Sequence, residues 1–422
     1  MSRIASGSGG RYDATVEEMR VEDIRKTVLK ELQRTDGKLP LRPCWVSRDF
    51  LPCGKRLGLK DEEYDVGERG WICERWLASE TQAENRIRVE NEGLSYLAIE
   101  GRDILMKDAV AACRAEILGE QYARTHDCLG RLLKIFDYNK RIFFHIHQRA
   151  EDARKVGMNS KEEAYFFLDA DPGPHPETFF GVHPYIVREN RQREIFLPYL
   201  REWRGEEILK HSRAYLNVPG EGFHLPPGIL HAPGTALTLE LQESSDVLAV
   251  LQAEIEGLAM DKELLYRHVS EEDKRRYGEE AVLRQIDWES CADPYFYENH
   301  HLTPRLIEET RQEGAWEEWV WYNTTKFSGT RITIRPGSRF LSKARGVHGL
   351  FVWRGKGEVD GCAVEGQKAS LTECRDELLI AHDKALKGCE IINSGGEDLV
   401  LFKFFGPDIN TDNIPYIKPY KG

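Results

Sequence analysis

Several features that would point quickly to a function are missing from this sequence. It has no apolar run near the roughly 20 residues that a membrane-spanning helix needs. It has no Gly-x-Gly-x-x-Gly or Walker loop to indicate a nucleotide site, and no Cys-x-x-Cys pair typical of a zinc ribbon. Positive charge is in deficit, since 59 Lys and Arg stand against 71 Asp and Glu and give a formal net charge of −12. This balance argues against nucleic acid or an anionic membrane as the main partner.

Disulfide chemistry is also not indicated. The nine cysteines are scattered singly along the chain, and an odd, dispersed set predicts buried free thiols in a reducing compartment. The beginning of the sequence has no apolar stretch of the kind that a signal peptide contains. We therefore expect a cytoplasmic location.

The length of 422 residues suits two domains, and 41% hydrophobic residues can bury a sizeable core. Many short strand-like runs separated by turns favour a jelly-roll or barrel architecture over parallel βαβ units. The chain divides into four predicted parts: a flexible N-terminus at 1–14, a strand-rich unit with helices at 15–255, a helical connection at 256–314, and a smaller all-β unit at 315–422.

Local signals predict two helices with defined ends. One spans 103–118, with Asp103 as its N-cap and Gly119 as its stop. The other begins at Thr303, whose neighbour Pro304 suits the first helical position, and it ends at Gly314. The second helix would close the predicted connection between the two β units.

Four residues form a candidate metal site. His145 and His147 alternate in a strand-like run, so both imidazoles can point to the same face and reach one ion. Glu163 precedes the next strand-like run, and His231 follows a Pro- and Gly-rich turn that would hold its side chain rigidly. Three imidazoles and one carboxylate suit a first-row divalent metal such as Zn, Mn, Fe or Ni. The alternative for the histidine pair is a chance spacing with hydrogen bonds in the core.

The sequence around these residues resembles that of the type I phosphomannose isomerases, a family with the cupin fold. That family carries LLKILDA and LSIQVHPDD strands, then GKxE, then (I/V)PAGTxHA and ExQxxSD. The similarity covers about residues 40–250 in the same order, in five segments of this chain: LLKIFD at 132–137, FHIH at 144–147, SKEE at 160–163, LPPGILHA at 225–232 and ELQESSD at 240–246.

The resemblance implies a mainly-β fold of two cupin (jelly-roll β-barrel) domains with helical insertions. It places His147, Glu163 and His231 on metal-ligand positions, with His145 where the family has a Gln ligand. It implies active-site roles for three further residues: Lys161, Glu240 and Asp246. The expected cofactor is one divalent ion, zinc first and Mn, Fe or Ni as alternatives. We expect Lys161, desolvated beside the metal, to have a lowered pKa that suits a proton-transferring base, with Glu240 as the second candidate.

The chain also departs from the family where positive charge and hydrogen bonding are needed. Val250 stands at the position of the catalytic Arg, Glu256 at a further cationic position, and Phe143 at a Ser associated with the substrate phosphate. Arg149, just after the second histidine, could compensate, or it could be a solvated loop residue. The C-terminal unit resembles a second cupin. Of its expected metal-ligand positions only one carries a histidine, His348, so we expect this unit to bind no metal.

Three functions follow as hypotheses. The first is a metal-dependent aldose–ketose isomerase, an intramolecular oxidoreductase, whose substrate is a sugar or a sugar phosphate and whose specificity is altered. The second is a non-catalytic carbohydrate-binding or regulatory protein with two cupin domains. The third is a cupin metalloenzyme of other chemistry, an epimerase or an oxygenase. In each case the partner is a small molecule, with no nucleic acid or membrane, and a homodimer is a possible assembly.

Overall fold

The computed structural model describes residues 9–422, and it describes side chains from Met19 onward. Residues 1–8 of the predicted flexible N-terminus lie outside the described residues, and the first helix begins at Gly9. The described part of the chain forms twelve α-helices: α1 Gly9–Arg34, α2 Met106–Ala112, α3 Arg114–Leu118, α4 Ala150–Arg154, α5 Pro184–Arg188, α6 Gln192–Glu202, α7 Glu263–Tyr266, α8 Glu271–Tyr277, α9 Glu280–Leu283, α10 Trp288–Cys291, α11 Phe296–His300 and α12 His382–Lys387.

Apart from short 3-10 helices, the rest of the regular structure consists of short antiparallel strands, so the predicted mainly-β fold class is confirmed. They are β1 Lys38–Pro40, β2 Cys44–Arg48, β3 Trp71–Leu77, β4 Arg131–Phe136, β5 His145–Ile146, β6 Glu163–Phe167, β7 Glu177–Phe180, β8 Arg213–Leu216, β9 Gly222–Leu225, β10 His231–Ala232, β11 Thr238–Glu243, β12 Ala249–Val250, β13 Glu254–Ile255, β14 Leu258–Ala259, β15 His301–Leu302, β16 Arg305–Leu306, β17 Ala315–Trp321, β18 Ser328–Ile334, β19 Arg339–Ser342, β20 His348–Arg354, β21 Lys356–Val359, β22 Cys362–Glu365, β23 Glu377–Ile380, β24 Cys389–Asn393 and β25 Leu399–Phe405.

The larger sheets form two pairs. The first pair consists of a seven-stranded sheet of order β15-β9-β6-β11-β4-β3-β2 and a five-stranded sheet of order β12-β5-β10-β7-β8. The second pair consists of a seven-stranded sheet of order β1-β23-β20-β25-β18-β17-β16 and a four-stranded sheet of order β19-β24-β21-β22. Strand β1 belongs to the first part of the chain but pairs with β23 near its end. The second sheet pair therefore includes a strand from the beginning of the chain, and the proposed domain boundaries stay a prediction.

The two seven-stranded sheets pack against each other through large apolar side chains. Leu133 and Ile135 of β4 share one buried cluster with Phe351, Phe402 and other residues of the second sheet. Because side chains alternate across a strand, Lys134 between them points to the opposite face, into the first sheet pair. Both faces of β4 are thus buried, which brings the charged side chain of Lys134 into the interior.

A buried ion-pair cluster also joins the two sheet pairs. Arg75 of β3 donates two hydrogen bonds to Asp376, at 2.8 and 2.6 Å, and one to Glu377 of β23 at 3.0 Å. The carboxylates of Asp376 and Glu377 lie near Cys374, and these three residues could in principle hold a metal ion. Since Arg75 already pairs with both carboxylates, we assign this cluster a structural role.

The two helices predicted from local signals differ from the structure. The segment 103–118 forms α2 and α3, with a break at Cys113 and with Leu105 instead of Asp103 at the N-cap. The predicted stop at Gly119 is confirmed, since this glycine caps α3 with a φ of 89°.

The predicted helix 303–314 is wrong. The chain there forms β16, whose Arg305 and Leu306 pair with Trp319 and Glu318 of β17, and then a short 3-10 helix at Glu308–Thr310. Pairing with a long neighbouring strand overrides the local capping signals.

His348 gives the second sheet pair an expected pH dependence. It is buried, its Nδ1 donates to the carbonyl of Gly346 at 3.0 Å, and burial with nearby Lys403 lowers its pKa to about 3. The unfolded chain binds a proton to this residue below about pH 6.5 while the folded chain does not. We expect the free energy of unfolding to fall by about 1.4 kcal/mol per pH unit through this histidine as the pH falls from about 6 to 4. Urea titrations of the wild type and of His348→Gln test this, and equal acid slopes would contradict it.

Candidate metal centre

The residues of the candidate metal centre come from both sheets of the first pair. His145 opens β5 and lies directly opposite His231 of β10, because these two residues are paired in the strand register. His147 follows β5 on the same face as His145, as the alternation of the sequence predicts. Glu163 opens β6 in the facing seven-stranded sheet. The barrel interior therefore receives three imidazoles from one sheet and a carboxylate from the other.

The three histidines are close together and are held in one tautomer. Their ligand atoms lie within 4.8 Å of one another. The Nδ1 atoms of His145, His147 and His231 lie 2.8, 2.7 and 2.8 Å from the backbone carbonyls of residues 143, 247 and 229. Because a carbonyl only accepts, each Nδ1 carries the proton, and each Nε2 presents a lone pair. Orientation of this kind, by a hydrogen bond on the other ring nitrogen, is typical of metal-binding histidines.

The carboxylate of Glu163 completes a set of atoms that requires a cation. Its Oε2 lies 3.0 Å from Nε2 of His147, and its Oε1 lies 3.2 Å from Nε2 of His231. Nε2 of His231 is buried without a hydrogen-bond partner among the described residues, and Oε2 of Glu163 has only the nearby Nζ of Lys161, at 3.1 Å, without a hydrogen bond of good geometry. Lone pairs that face each other with no proton between them repel, and a divalent ion would relieve this. The four predicted ligands therefore fit a divalent metal.

The electrostatics of the cluster favour the protonation states that metal binding needs. Burial, together with the neighbouring histidines, holds the pKa of His145 well below its usual range, and burial with the charge of Lys161 lowers that of His147 to about 3. Burial alone would raise the pKa of Glu163, but Lys161, His147 and His231 hold it well below its usual range. Neutral imidazoles and an ionised carboxylate are the forms that bind a metal.

Lys161 lies beside the ligands, but its pKa differs from the prediction. Its Nζ lies 3.0 Å from Nε2 of His147, 3.1 Å from Glu163 and 3.1 Å from Oε1 of Glu240. The expected lowering of its pKa is wrong in this structure. Burial does favour the neutral amine, but the carboxylates of Glu240, Glu163 and Asp246 outweigh it and raise the pKa. These carboxylates therefore favour the ammonium form of Lys161.

Glu240 has the opposite perturbation. It is buried on β11, and burial together with the charge of Glu163 raises its pKa against the opposing effect of Lys134 and Lys161. Its Oε1 lies 3.2 Å from Nζ of Lys134 and makes no hydrogen bond of good geometry among the described residues. A carboxyl group with a raised pKa can hold and release a proton closer to neutral pH.

Asp246 lies farther along the same set of buried charges. Its carboxylate pairs with Arg48 at 3.3 Å and accepts the backbone N–H of Glu84 at 3.2 Å. Arg48 also pairs with Glu74 at 3.1 Å. The structure thus brings together six of the seven predicted site residues, while Asp246 contacts an arginine next to them.

Three functional candidates were missed by the sequence interpretation: Lys134, Arg48 and Glu74. Nζ of Lys134 lies 3.2 Å from Glu240 and 3.9 Å from Glu74. Lys134, Glu74 and Arg48 therefore form a series of alternating charges that connects Glu240, the partner of Lys161, to Asp246. A signal for Lys134 was present, because a single charge stands inside the apolar run LLKIF. Arg48 and Glu74 lie in a turn-rich part of the sequence, where a charged residue does not stand out from its neighbours.

The positions that depart from the family pattern are apolar or turned away from the ligands. Val250 is buried on β12, next to His145 in the strand register. The ring of Phe143 lies edge-on to that of His145, 5.3 Å between centroids. Glu256 pairs with Lys140 at 2.8 Å. Arg149 does not compensate for these changes, because its guanidinium pairs with residues 151 and 152 of α4.

The paired antiparallel sheets define a mainly-β protein with the cupin-type fold of the solved mannose-6-phosphate isomerases. The mannose 6-phosphate isomerase of Bacillus subtilis is 14% identical, with a TM-score of 0.58 over 87% of this chain and 99% of that one. A variant of the phosphomannose isomerase of Salmonella typhimurium is 12% identical, with a TM-score of 0.57 over the same shares. No family model matches the sequence, and no curated protein matches it. The likeness therefore shows the fold.

No helix among the described residues is both long and apolar enough to cross a membrane. All nine cysteines are free thiols in the structure; six of them are buried, as predicted, and three are partly exposed: Cys128, Cys362 and Cys374.

Proposed function

We propose that this protein is a metal-dependent aldose–ketose isomerase that acts on a sugar or a sugar phosphate. One observation carries the proposal: a buried lysine–glutamate pair, Lys161 and Glu240, lies in direct contact with a donor set of three histidines and one glutamate. Aldose–ketose isomerisation needs both parts, since a carbonyl must be polarised while a proton moves between adjacent carbons. The fold shared with mannose-6-phosphate isomerases supports the same reaction class.

The proposed ligands of the metal are His145, His147, Glu163 and His231. Zinc is the proposed ion, and Mn, Fe or Ni would also suit this N/O donor set. A bound divalent ion supplies Lewis-acid polarisation of a sugar carbonyl. Because the donors are buried and pre-oriented by backbone carbonyls, little reorganisation is needed at the moment of reaction.

We assign the movement of the proton to the Lys161–Glu240 pair. From an aldose, the carboxylate of Glu240 takes the proton from C2, and the electron pair of the broken C–H bond forms the double bond of a cis-enediol. The same carboxyl then returns a proton to C1, while the proton of the C2 hydroxyl moves to the oxygen on C1, which gives the ketose. Lys161, an ammonium 3.1 Å from Glu240, balances the negative charge at each stage.

Product formation tests the proposal. The metal-loaded protein is incubated with aldohexoses, aldopentoses and their terminal phosphates, and ketose formation is followed by NMR. We expect at least one substrate to be converted, and we expect conversion to stop after chelation and to return with added metal. If no member of the panel is converted by the metal-loaded protein, the result contradicts the proposal and favours a carbohydrate-binding protein.

A cytoplasmic location and a small-molecule partner belong to the same proposal. The nine free thiols support a reducing compartment. The deficit of positive charge supports the view that neither nucleic acid nor an anionic membrane is a partner.

A further inference from the structure

The carboxylate of Glu163 has a partner that belongs neither to the proposed ligand set nor to the pair that moves the proton. The hydroxyl of Tyr165 donates a hydrogen bond to Oε1 of Glu163, with 2.5 Å between the two oxygens. Because side chains alternate along a strand, these two residues of β6 point to the same side, into the barrel interior. Tyr165 is buried, with 1% of its surface exposed. Its hydroxyl therefore touches a proposed metal ligand from inside the protein.

Packing against other aromatic rings holds this hydroxyl in place. The ring of Tyr165 lies edge-on to that of Phe136 on β4, with 5.9 Å between the centroids. It also lies 6.4 Å from the ring of Phe180, on β7 of the facing sheet. Phe180 is paired with His231 in the strand register. The tyrosine ring is thus held between the two sheets that supply the proposed ligands, and this packing restrains its hydroxyl at Glu163.

The two oxygens of Glu163 have neighbours of different charge. Nζ of Lys161 lies 3.1 Å from Oε2, whereas the hydroxyl of Tyr165 binds Oε1. An ammonium group beside a ligand repels a divalent cation, but a neutral hydroxyl adds no positive charge. Carboxylates that bind metals are themselves commonly oriented by hydrogen bonds from groups outside the ligand set. Tyr165 can therefore orient this carboxylate without placing a second positive charge beside the ion.

We propose that Tyr165 is a positioning residue for the metal: its hydroxyl fixes the carboxylate of Glu163 where it faces the histidines and so raises the affinity for the ion. The inference rests on the metal centre of the proposed isomerase. Without the hydroxyl, the side chain of Glu163 would gain rotational freedom in the metal-free protein. Ordering that side chain on binding would then cost affinity.

Zinc affinity tests this inference without any assay of isomerisation. The Kd is measured by competition with a chromophoric chelator for the wild type and for Tyr165→Phe, which removes the hydroxyl and keeps the ring. We expect Tyr165→Phe to weaken zinc binding by about 10- to 100-fold, the usual effect of losing a group that orients a metal ligand. The variant is expected to fold, because this ring already packs among phenylalanines.

Tyr138→Phe is the matched control. Tyr138 is also buried, its ring also lies beside Phe136, and its hydroxyl also donates to a carboxylate, Oε1 of Glu74, at 2.6 Å. Glu74 is not a proposed ligand, so this variant should bind zinc within about threefold of the wild type. Each variant loses one buried hydrogen bond to a carboxylate, so the urea midpoints of the two metal-free variants should fall by similar amounts.

The outcomes separate the inference from the proposed function. Wild-type zinc affinity in Tyr165→Phe, or an equal loss of affinity in Tyr165→Phe and Tyr138→Phe, would overturn the inference and leave the isomerase proposal standing. A wild type that binds no zinc would overturn both. Zinc binding that depends on Tyr165 in a protein that isomerises no sugar would support the inference and contradict only the proposed function.

Discussion

Replacing His231 by alanine is expected to abolish stable metal binding. His231 supplies a buried Nε2 that has no hydrogen-bond partner in the described part of the chain, and its ring is fixed by the carbonyl at 229. Without it, the remaining donors are two imidazoles and one carboxylate, and affinity should fall by at least about 100-fold. Metal content after dialysis, measured by inductively coupled plasma mass spectrometry, should fall from one equivalent to near zero.

His348→Gln is the control for this change. His348 is also a buried histidine whose Nδ1 donates to a backbone carbonyl two residues earlier. It lies in the second sheet pair, however, and belongs to no group of side chains that could hold a metal ion among the described residues. Its replacement should leave the metal content at neutral pH unchanged. If His231→Ala retains a full equivalent of metal, the four-residue ligand set proposed here is wrong.

The second large effect is expected at the pair that moves the proton. Lys161→Met and Glu240→Gln should each reduce isomerisation by about 10²- to 10⁴-fold, the range for loss of a general acid or base. The two side chains lie 3.1 Å apart and act in the same proton-transfer step, so the double variant should lose no more than either single variant. Single-turnover rates of ketose formation at saturating metal measure all three.

Lys155→Met gives the matched control for the lysine. Lys155 is half exposed and pairs with Asp152 and Asp273 at the surface, so its loss should leave the rate within about twofold. The glutamine and methionine variants should retain the metal, because neither residue is a proposed ligand. Unchanged isomerisation in both single variants would show that other groups move the proton.

The proximity of the proposed ligands is the feature of the site that could best be predicted from the sequence. The spacing of His145 and His147 depends only on strand alternation, and the framing of His231 depends only on local turn residues. Both are short-range properties that the sequence states directly. The meeting of these residues with Glu163 depends on two facing sheets, and only the order of motifs shared with a known family pointed to it.

What the sequence could not supply are properties that arise from packing. The pKa of Lys161 follows from three carboxylates that come from separate parts of the chain, so a prediction from burial alone has the wrong sign. The segment 303–314 carries good helix signals but pairs with β17.

The central claim is that the metal centre and the Lys161–Glu240 pair together exchange a carbon-bound proton of a sugar. The most direct test is deuterium incorporation at C2 of an aldose substrate in D₂O, followed by NMR with the metal-loaded protein, the chelated protein and the His231→Ala variant. We predict incorporation with the loaded protein alone, restored to the chelated protein by added metal. Incorporation that persists at the same rate after chelation or in His231→Ala, or no incorporation in any of the three, would contradict the claim.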